Sequence, residues 1–176
     1  MIYGSSQEEL QRELVVQRAA PHQGPLAPGS LLAGRYRIQH LLGHGGMGVV
    51  YLGEHVAVGR KVAIKLITPR WARDPMITRR FRAEPRLASA AGHPNIVEVF
   101  DAGELPDGSL YIVMEFLSGE TLREYVSRRG RLSEAESCRL IADVARAVRA
   151  AHRVGVIHRD LKLDNITVTR NTALAC

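Results

Sequence analysis

Gly43-His44-Gly45-Gly46-Met47-Gly48-Val49-Val50-Tyr51-Leu52 decides how this chain folds, because of the residue types that come after its glycines. Similar letters occur where a strand turns into the first helix of a βαβ unit around a dinucleotide. Here Gly48 runs directly into β-branched and aromatic residues, and a second strand pattern extends from Lys61 to Ile67. The stretch therefore reads as a β-hairpin tipped with glycine, not as a strand-to-helix turn. Glycine at 43, 45 and 48 carries no Cβ, so backbone N–H groups there can come close to phosphate. Taken by itself, the motif fits equally well a glycine hairpin that holds nothing.

Working outward, Val62-Ala63-Ile64-Lys65 continues the pattern. Side chains alternate faces along a strand, so Val62, Ile64 and Leu66 share one face and Ala63, Lys65 and Ile67 the other. A lysine set among apolar residues calls for an anionic partner, unless it lies at an edge and snorkels to water. On the N-terminal side, Tyr36-Arg37-Ile38 alternates as a strand. Residues 1–30 read as a flexible extension: Ser6 to Ala20 suits a short helix, and Pro21, Gly24, Pro25, Pro28 and Gly29 then break regular structure.

On the C-terminal side, Asp74-Pro75 is an N-cap followed by proline at the first helical position. The helix it opens is expected to run to about Ala91 and stop at Gly92. Strands are expected next over Ile96–Phe100 and Leu110–Phe116, joined through Pro106-Asp107-Gly108. Beyond Ser118-Gly119 the pattern turns helical. Ser133-x-x-Glu136 is a capping box, opening a helix with Leu140, Ile141, Val144, Val148 and Ala151 on one stripe and Gly155 as its stop. Ile166-Thr167-Val168 reads as a short strand, Arg170-Asn171-Thr172 as a turn, and Ala173 to Cys176 as a returning strand.

Composition bounds the function. The 176 residues are 45% apolar and 24% charged, ordinary for a globular protein. No stretch approaches the roughly 18 uninterrupted apolar residues of a membrane helix. The first residues carry Glu8, Glu9 and Glu13 rather than the apolar core of a secretory signal. Cys138 and Cys176 are too few for a disulfide framework and read as reduced thiols. The net charge is +6, and all but three of the 24 basic residues are arginines. They are scattered, often beside acids, and aromatics make up only 5%. That argues against nucleic acid as a partner.

His158-Arg159-Asp160-Leu161-Lys162-Leu163-Asp164-Asn165 completes the pattern. The ordered set of glycine hairpin, Val-Ala-Ile-Lys strand and this loop resembles the bacterial eukaryotic-type (Hanks-type) serine/threonine protein kinases. The resemblance covers about Gly34 onward. It implies an α+β, two-lobed fold, with a strand-rich N-lobe over 31–117 and part of a helical C-lobe over 118–176. It implies phosphoryl transfer from ATP, with Mg²⁺, to Ser/Thr hydroxyls of a protein substrate. Leu42, Gly43, Gly45, Gly46, Gly48, Val50, Ala63 and Met114 would surround the nucleotide. The backbone of Glu115 and Leu117 would meet the adenine edge. Lys65 would hold the α- and β-phosphates, with Glu84 as its partner on the helix. Asp160 would accept or orient the substrate proton, Lys162 would neutralise the γ-phosphate, and Asn165 would offer its amide oxygen to the metal. His158 would be a packed scaffold residue, Asp164 a solvated loop acid, and Glu120 a surface acid or a ribose contact.

Two departures bear on activity. Pro85 directly follows Glu84, and a proline inside a helix costs about 3 kcal/mol and biases the residue before it away from helical dihedrals. Pro85→Ala is therefore expected to stabilise the chain and tighten nucleotide binding. The family's second metal-binding aspartate, in Asp-Phe-Gly, lies about 18 residues past the catalytic one, and no Asp-Phe-Gly occurs here. The expectation is a kinase domain truncated before that motif, with weak activity or none as it stands. The alternative is a non-catalytic fragment serving as a nucleotide-binding or docking module, and the resemblance also allows a homodimer through the N-lobe. A cytoplasmic location is expected.

Overall fold

The structure is a computed structural model that describes residues 26–45, 48–76, 78, 79, 81, 92–169, 174 and 175. The N-terminal half is a six-stranded antiparallel sheet: β1 (Leu31–Leu32), β2 (Tyr36–Gly45), β3 (Gly48–His55), β4 (Arg60–Ile67), β5 (Val99–Glu104) and β6 (Leu110–Glu115), in the order β1-β2-β3-β4-β6-β5. The alternation read from β4 is realised. Val62, Ile64 and Leu66 are buried together with Tyr51, Tyr111 and Val113, beneath Leu26, Leu32, Tyr36 and Ile38. Ile64 and Val113 are fully buried and paired across the strands; cutting Ile64 back to alanine would cost ~2–5 kcal/mol. On the opposite face Ile67, Leu110 and Ile112 pack with Phe81.

The segment expected to be a loose leader is packed at its end. Leu26 is buried, and its N–H donates to the Tyr51 hydroxyl at 2.8 Å. The Gly29 N–H donates to the Ile38 carbonyl at 2.7 Å, and the Ser30 carbonyl accepts from the Ile38 N–H at 2.9 Å. The expected helix over Ser6–Ala20 lies outside the described residues.

A four-residue helix α1 (Pro69–Ala72) comes after β4. Asp74 then caps the next helical segment: its carboxylate accepts from the Met76 N–H at 2.8 Å, and its carbonyl accepts from the Thr78 N–H at 2.9 Å. Residues 82–91, where the rest of that helix is expected, lie outside the described residues; Gly92, its expected stop, has φ +51°. The strand expected at Ile96 begins three residues later, at Val99. The reason is the turn before it: the Ile96 N–H donates to the His93 carbonyl at 2.9 Å, and the Asn95 N–H to His93 Nδ1 at 3.1 Å. The β5–β6 hairpin closes over Asp107-Gly108 as expected, with Gly108 at φ +84°.

The C-terminal half holds α2 (Leu122–Arg129), α3 (Glu134–Arg153) and a small sheet of β7 (Gly119–Thr121), β8 (Thr167–Thr169) and β9 (Leu174–Ala175), ordered β7-β8-β9. The Ser133–Glu136 capping box is formed at α3, and a second one, Thr121-x-x-Glu124, opens α2. Leu122, Val144 and Ile166 form the core here, with Leu140 and Val148 packed around it. Ile141 does not join the stripe: it is 65% exposed. It lies about 100° round the helix from Leu140, at the rim of the buried face. The turn expected at Arg170–Thr172 lies outside the described residues.

Candidate active site

The first half of the site is built by register. Lys65 pairs with Val50 on one side and Ile112 on the other; Ala63 pairs with Leu52 and Met114. Directly opposed residues of an antiparallel pair share a face, so Val50, Ala63, Lys65 and Met114 stand on one surface of the sheet. Ala63 is buried, whereas the Lys65 side chain is exposed rather than embedded. The surface it reaches is therefore open to an anion from solvent. Glu84, its expected partner, and Pro85 lie outside the described residues.

Beside β4 in the same sheet runs the β2–β3 hairpin. Gly43 pairs with Val50 and Gly45 with Gly48, while Gly46 and Met47 at the tip lie outside the described residues. A register shift between Leu41 and Gly43 leaves Leu42 as an extra residue on β2, half-exposed. A bulge of this kind bends the strand and increases its twist. Gly48 is demanded by close approach: a Cβ there would stand 1.9 Å from the Leu66 carbonyl oxygen, whereas one on Gly43 would meet nothing within 4 Å. Beyond β6, Phe116, Leu117 and Ser118 link to β7 without regular secondary structure. The Glu115 N–H donates to the Glu98 carbonyl at 2.9 Å.

The second half is the 158–165 loop. Lys162 Nζ lies 3.0 Å from Asp160 Oδ2. Asn165 Nδ2 donates to the Asp160 carbonyl at 2.8 Å and to Asp160 Oδ2 at 2.9 Å. The lysine first, and the asparagine after it, hold the Asp160 carboxyl below its ordinary pKa. The Asp160 N–H donates to the His158 carbonyl at 2.8 Å and to His158 Nδ1 at 3.3 Å, so His158 shapes the backbone. It is exposed, not packed as expected. Arg159 takes φ +61°, the left-handed turn that reverses the chain before Asp160. A single 3₁₀ turn, Leu163–Asn165, closes the loop, with the Asn165 N–H on the Lys162 carbonyl at 3.0 Å. Asp160, Lys162 and Asn165 are thus brought together in one hydrogen-bonded cluster.

Two acids outside that cluster have unexpected partners. Asp164, expected to be merely solvated, accepts a fork from Arg123 of α2: Nε to Oδ1 at 2.5 Å and Nη2 to Oδ2 at 2.9 Å. That fork lowers the Asp164 pKa. Glu120 on β7 is engaged by Arg128, with Nε to Oε2 at 3.1 Å and a second contact from Nη2 to Oε1. Its pKa is lowered chiefly by this hydrogen bonding.

The donor set suits magnesium. With its Nδ2 committed to Asp160, Asn165 presents its amide oxygen, and the Asp160 carboxylate adds hard anionic oxygens nearby. Among the described residues no group of three or more His, Cys, Asp or Glu could hold a metal alone. Mg²⁺ commonly takes one or two protein oxygens and fills its shell with phosphate and water.

A glycine hairpin paired to a lysine-bearing strand, a short link to the second sheet and an Asp-x-Lys-x-x-Asn loop define a protein kinase fold. Residues 36–175 match the protein kinase domain family, and the chain belongs to that family. It is 41% identical over 140 residues to the serine/threonine-protein kinase PrkC of Bacillus subtilis (strain 168), a match spanning 80% of this chain and 22% of PrkC. It is 42% identical over 146 residues to the serine/threonine-protein kinase PknB of Mycolicibacterium smegmatis, across 81% of this chain and 23% of that one. The crystal structure of the Mycobacterium tuberculosis PknI kinase domain superposes with a TM-score of 0.77 at 34% identity, covering 86% of this chain and 61% of that domain. The chain therefore spans less than a quarter of these curated relatives. Among the described residues, no helix is long and apolar enough to cross a membrane.

Proposed function

We propose that this chain carries the nucleotide site and catalytic loop of a serine/threonine protein kinase, which transfers the γ-phosphate of ATP to a hydroxyl of a protein substrate. The observation that carries the reading is the Asp160–Lys162–Asn165 cluster, together with an exposed Lys65 on a sheet face shared with Val50, Ala63 and Met114.

Each residue has work that its chemistry permits. Lys65 reaches from the sheet to the α- and β-phosphates as a point charge. Gly43, Gly45, Gly46 and Gly48 let hairpin N–H groups approach the phosphates, and Leu42, Val50, Ala63 and Met114 line the adenine. Glu115 and Leu117 offer backbone groups to the base edge. Asp160 is anionic at neutral pH, because its pKa lies below the ordinary carboxylate value. It orients the attacking hydroxyl and accepts its proton at Oδ. Lys162 offsets charge on the transferring phosphoryl group. Asn165 would hold Mg²⁺, which would supply positive charge to offset that developing in transfer. Glu84 would pair with Lys65.

The test is a thermal melt with and without Mg-ATP, and then transfer of labelled phosphate to a Ser/Thr-containing protein. A nucleotide at about 100 times its Kd stabilises by ~2.7 kcal/mol, or roughly 5–10 °C. Lys65→Ala removes that shift, and Asp160→Asn removes residual transfer while keeping the shift. A shift that survives Lys65→Ala, or transfer that survives Asp160→Asn, rejects the assignment.

A further inference from the structure

Asn165 is the pivot of the loop, since its Nδ2 holds both the carbonyl and the carboxylate of Asp160. Asn165 is itself held through its two chain neighbours. The Ile166 carbonyl, on one side, accepts the Leu122 N–H at 2.7 Å. Asp164, on the other, receives the Arg123 fork. Consecutive residues at the start of α2 therefore grip both flanks of Asn165. Leu122 and Ile166 are buried in one cluster with Val144, so the first grip is anchored in the core. α2 is in turn fixed by the Thr121–Glu124 capping box, and β7 leads into it paired with β8 through Thr121 and Thr167.

We propose that Arg123 is a positioning residue for phosphoryl transfer, acting through Asp164 to fix the Asn165 amide and, through that amide, the Asp160 carboxylate. The inference deepens the kinase reading and rests on it for the reaction concerned. The geometry separates this pair from an ordinary surface ion pair. Exposed pairs contribute little when their long side chains must be ordered for a single contact. Here a planar guanidinium meets a carboxylate at two points, the bidentate arrangement that fixes direction as well as distance. The backbone bond at Ile166 fixes only one flank. Arg123→Lys keeps the charge but loses the fork, so lysine restores the function only in part.

The experiment is a double-mutant cycle on the full chain with Arg123→Ala, Asp164→Ala and both, read by hydrogen exchange at the Asp160 and Asn165 amides. Phosphotransfer at saturating Mg-ATP is measured alongside. Each single substitution is expected to speed exchange at those two amides about three- to tenfold, with the double no worse than either single and with the β8 and α3 amides unchanged. Where transfer is measurable, kcat falls by a similar factor while the KM for ATP holds, and Arg123→Lys lies between. The proposal is overturned if loop exchange is unchanged, if it rises equally throughout α3 and β8, or if the two substitutions add. The exchange arm needs no catalysis, so a melt indifferent to Mg-ATP would count against the kinase reading and leave this inference to stand or fall on the loop amides.

Discussion

The two glycines Gly43 and Gly48 sit on the same hairpin, yet alanine should act on them in opposite ways. A Cβ at Gly48 would lie 1.9 Å from the Leu66 carbonyl oxygen and 2.9 Å from its carbon, and both are backbone atoms that cannot swing aside. To reach an ordinary contact, β3 and β4 must part by about 1 Å or more at the rungs Gly48–Ile67 and Val49–Leu66. That movement loosens one or two ladder bonds, each worth ~0.5–1.5 kcal/mol net. It adds strain of the kind that overpacking brings, ~1–3 kcal/mol. The total is about 1.5–6 kcal/mol, and for a chain of this size it lowers Tm by roughly 3–24 °C. A Cβ at Gly43 meets nothing within 4 Å, so Gly43→Ala should leave Tm within about 2 °C of wild type and, by reducing unfolded-chain freedom, even raise it slightly. If the open space beside Gly43 is where phosphate sits, Gly43→Ala instead weakens Mg-ATP binding. The assay is a pair of melts, each with and without Mg-ATP. A Gly48→Ala melt that matches wild type refutes the clash. A Gly43→Ala melt lowered as far as Gly48→Ala refutes the claim that only one of these glycines is structural.

Ser133→Ala removes the cap whose side chain accepts the Glu136 N–H. It should cost ~1 kcal/mol and about 2–4 °C of Tm, and an unchanged melt would show that the start of α3 does not need it. The Glu136 carboxyl is held below its ordinary value of 4.5, chiefly by the Ser133 N–H. Its stabilisation is therefore present above that pH and is lost as pH falls through the lower folded value, in Ser133→Ala largely as in wild type, because alanine keeps the backbone N–H. Tyr36 is raised to about 12, first by burial and then by its hydrogen bond to Asp101 at 2.9 Å. A raised folded pKa means stability that is complete below the unfolded value near 10 and lost as pH climbs through 12. The tyrosine absorbance titration should show a late component that Tyr36→Phe removes, and a titration complete near 10 would refute it.

Those elements whose signals are local could be read from the sequence. The β3–β4 alternation, the Asp74 cap, the Asp107-Gly108 turn and the Ser133 capping box each lie within a few residues and use one interaction apiece. Thr121-x-x-Glu124 is the same kind of signal, and its spacing alone suffices to mark the start of α2. The Arg123–Asp164 fork spans 41 residues, so no window on the sequence contains it; it exists because β7 and β8 pair and bring α2 beside the loop. Ile141 failed for a related reason. Periodicity places it near the stripe, but the width of the buried face is set by α2 and β8, which pack only as far as Val144, Ala147 and Val148. Among the site residues, register puts Val50, Ala63, Lys65 and Met114 on one face, which alternation within β4 anticipates only for Ala63 and Lys65.

The two halves of the site are held by different forces, and that difference can be tested. The Lys65 face rides on β4 and β6, whose Ile64 and Val113 are fully buried. The loop is held by contacts between exposed charges: the side chains of Lys162 and Asp160 are 50% and 65% exposed, and those of Arg123 and Asp164 57% and 42%. The Debye length falls from about 10 Å at 0.1 M salt to ~3 Å at 1 M, and screening acts most on exposed pairs. Burial of apolar surface is not weakened in the same way. Raising salt to about 1 M should therefore speed hydrogen exchange at Asp160 and Asn165 a few-fold while the β4 and β6 amides hold or slow. Loop amides indifferent to salt would mean that the Leu122–Ile166 bond and the Asn165 amide fix the loop without help from its charges. Strands and loop loosening together would mean that the two halves are one cooperative unit, with the loop no weaker than the sheet.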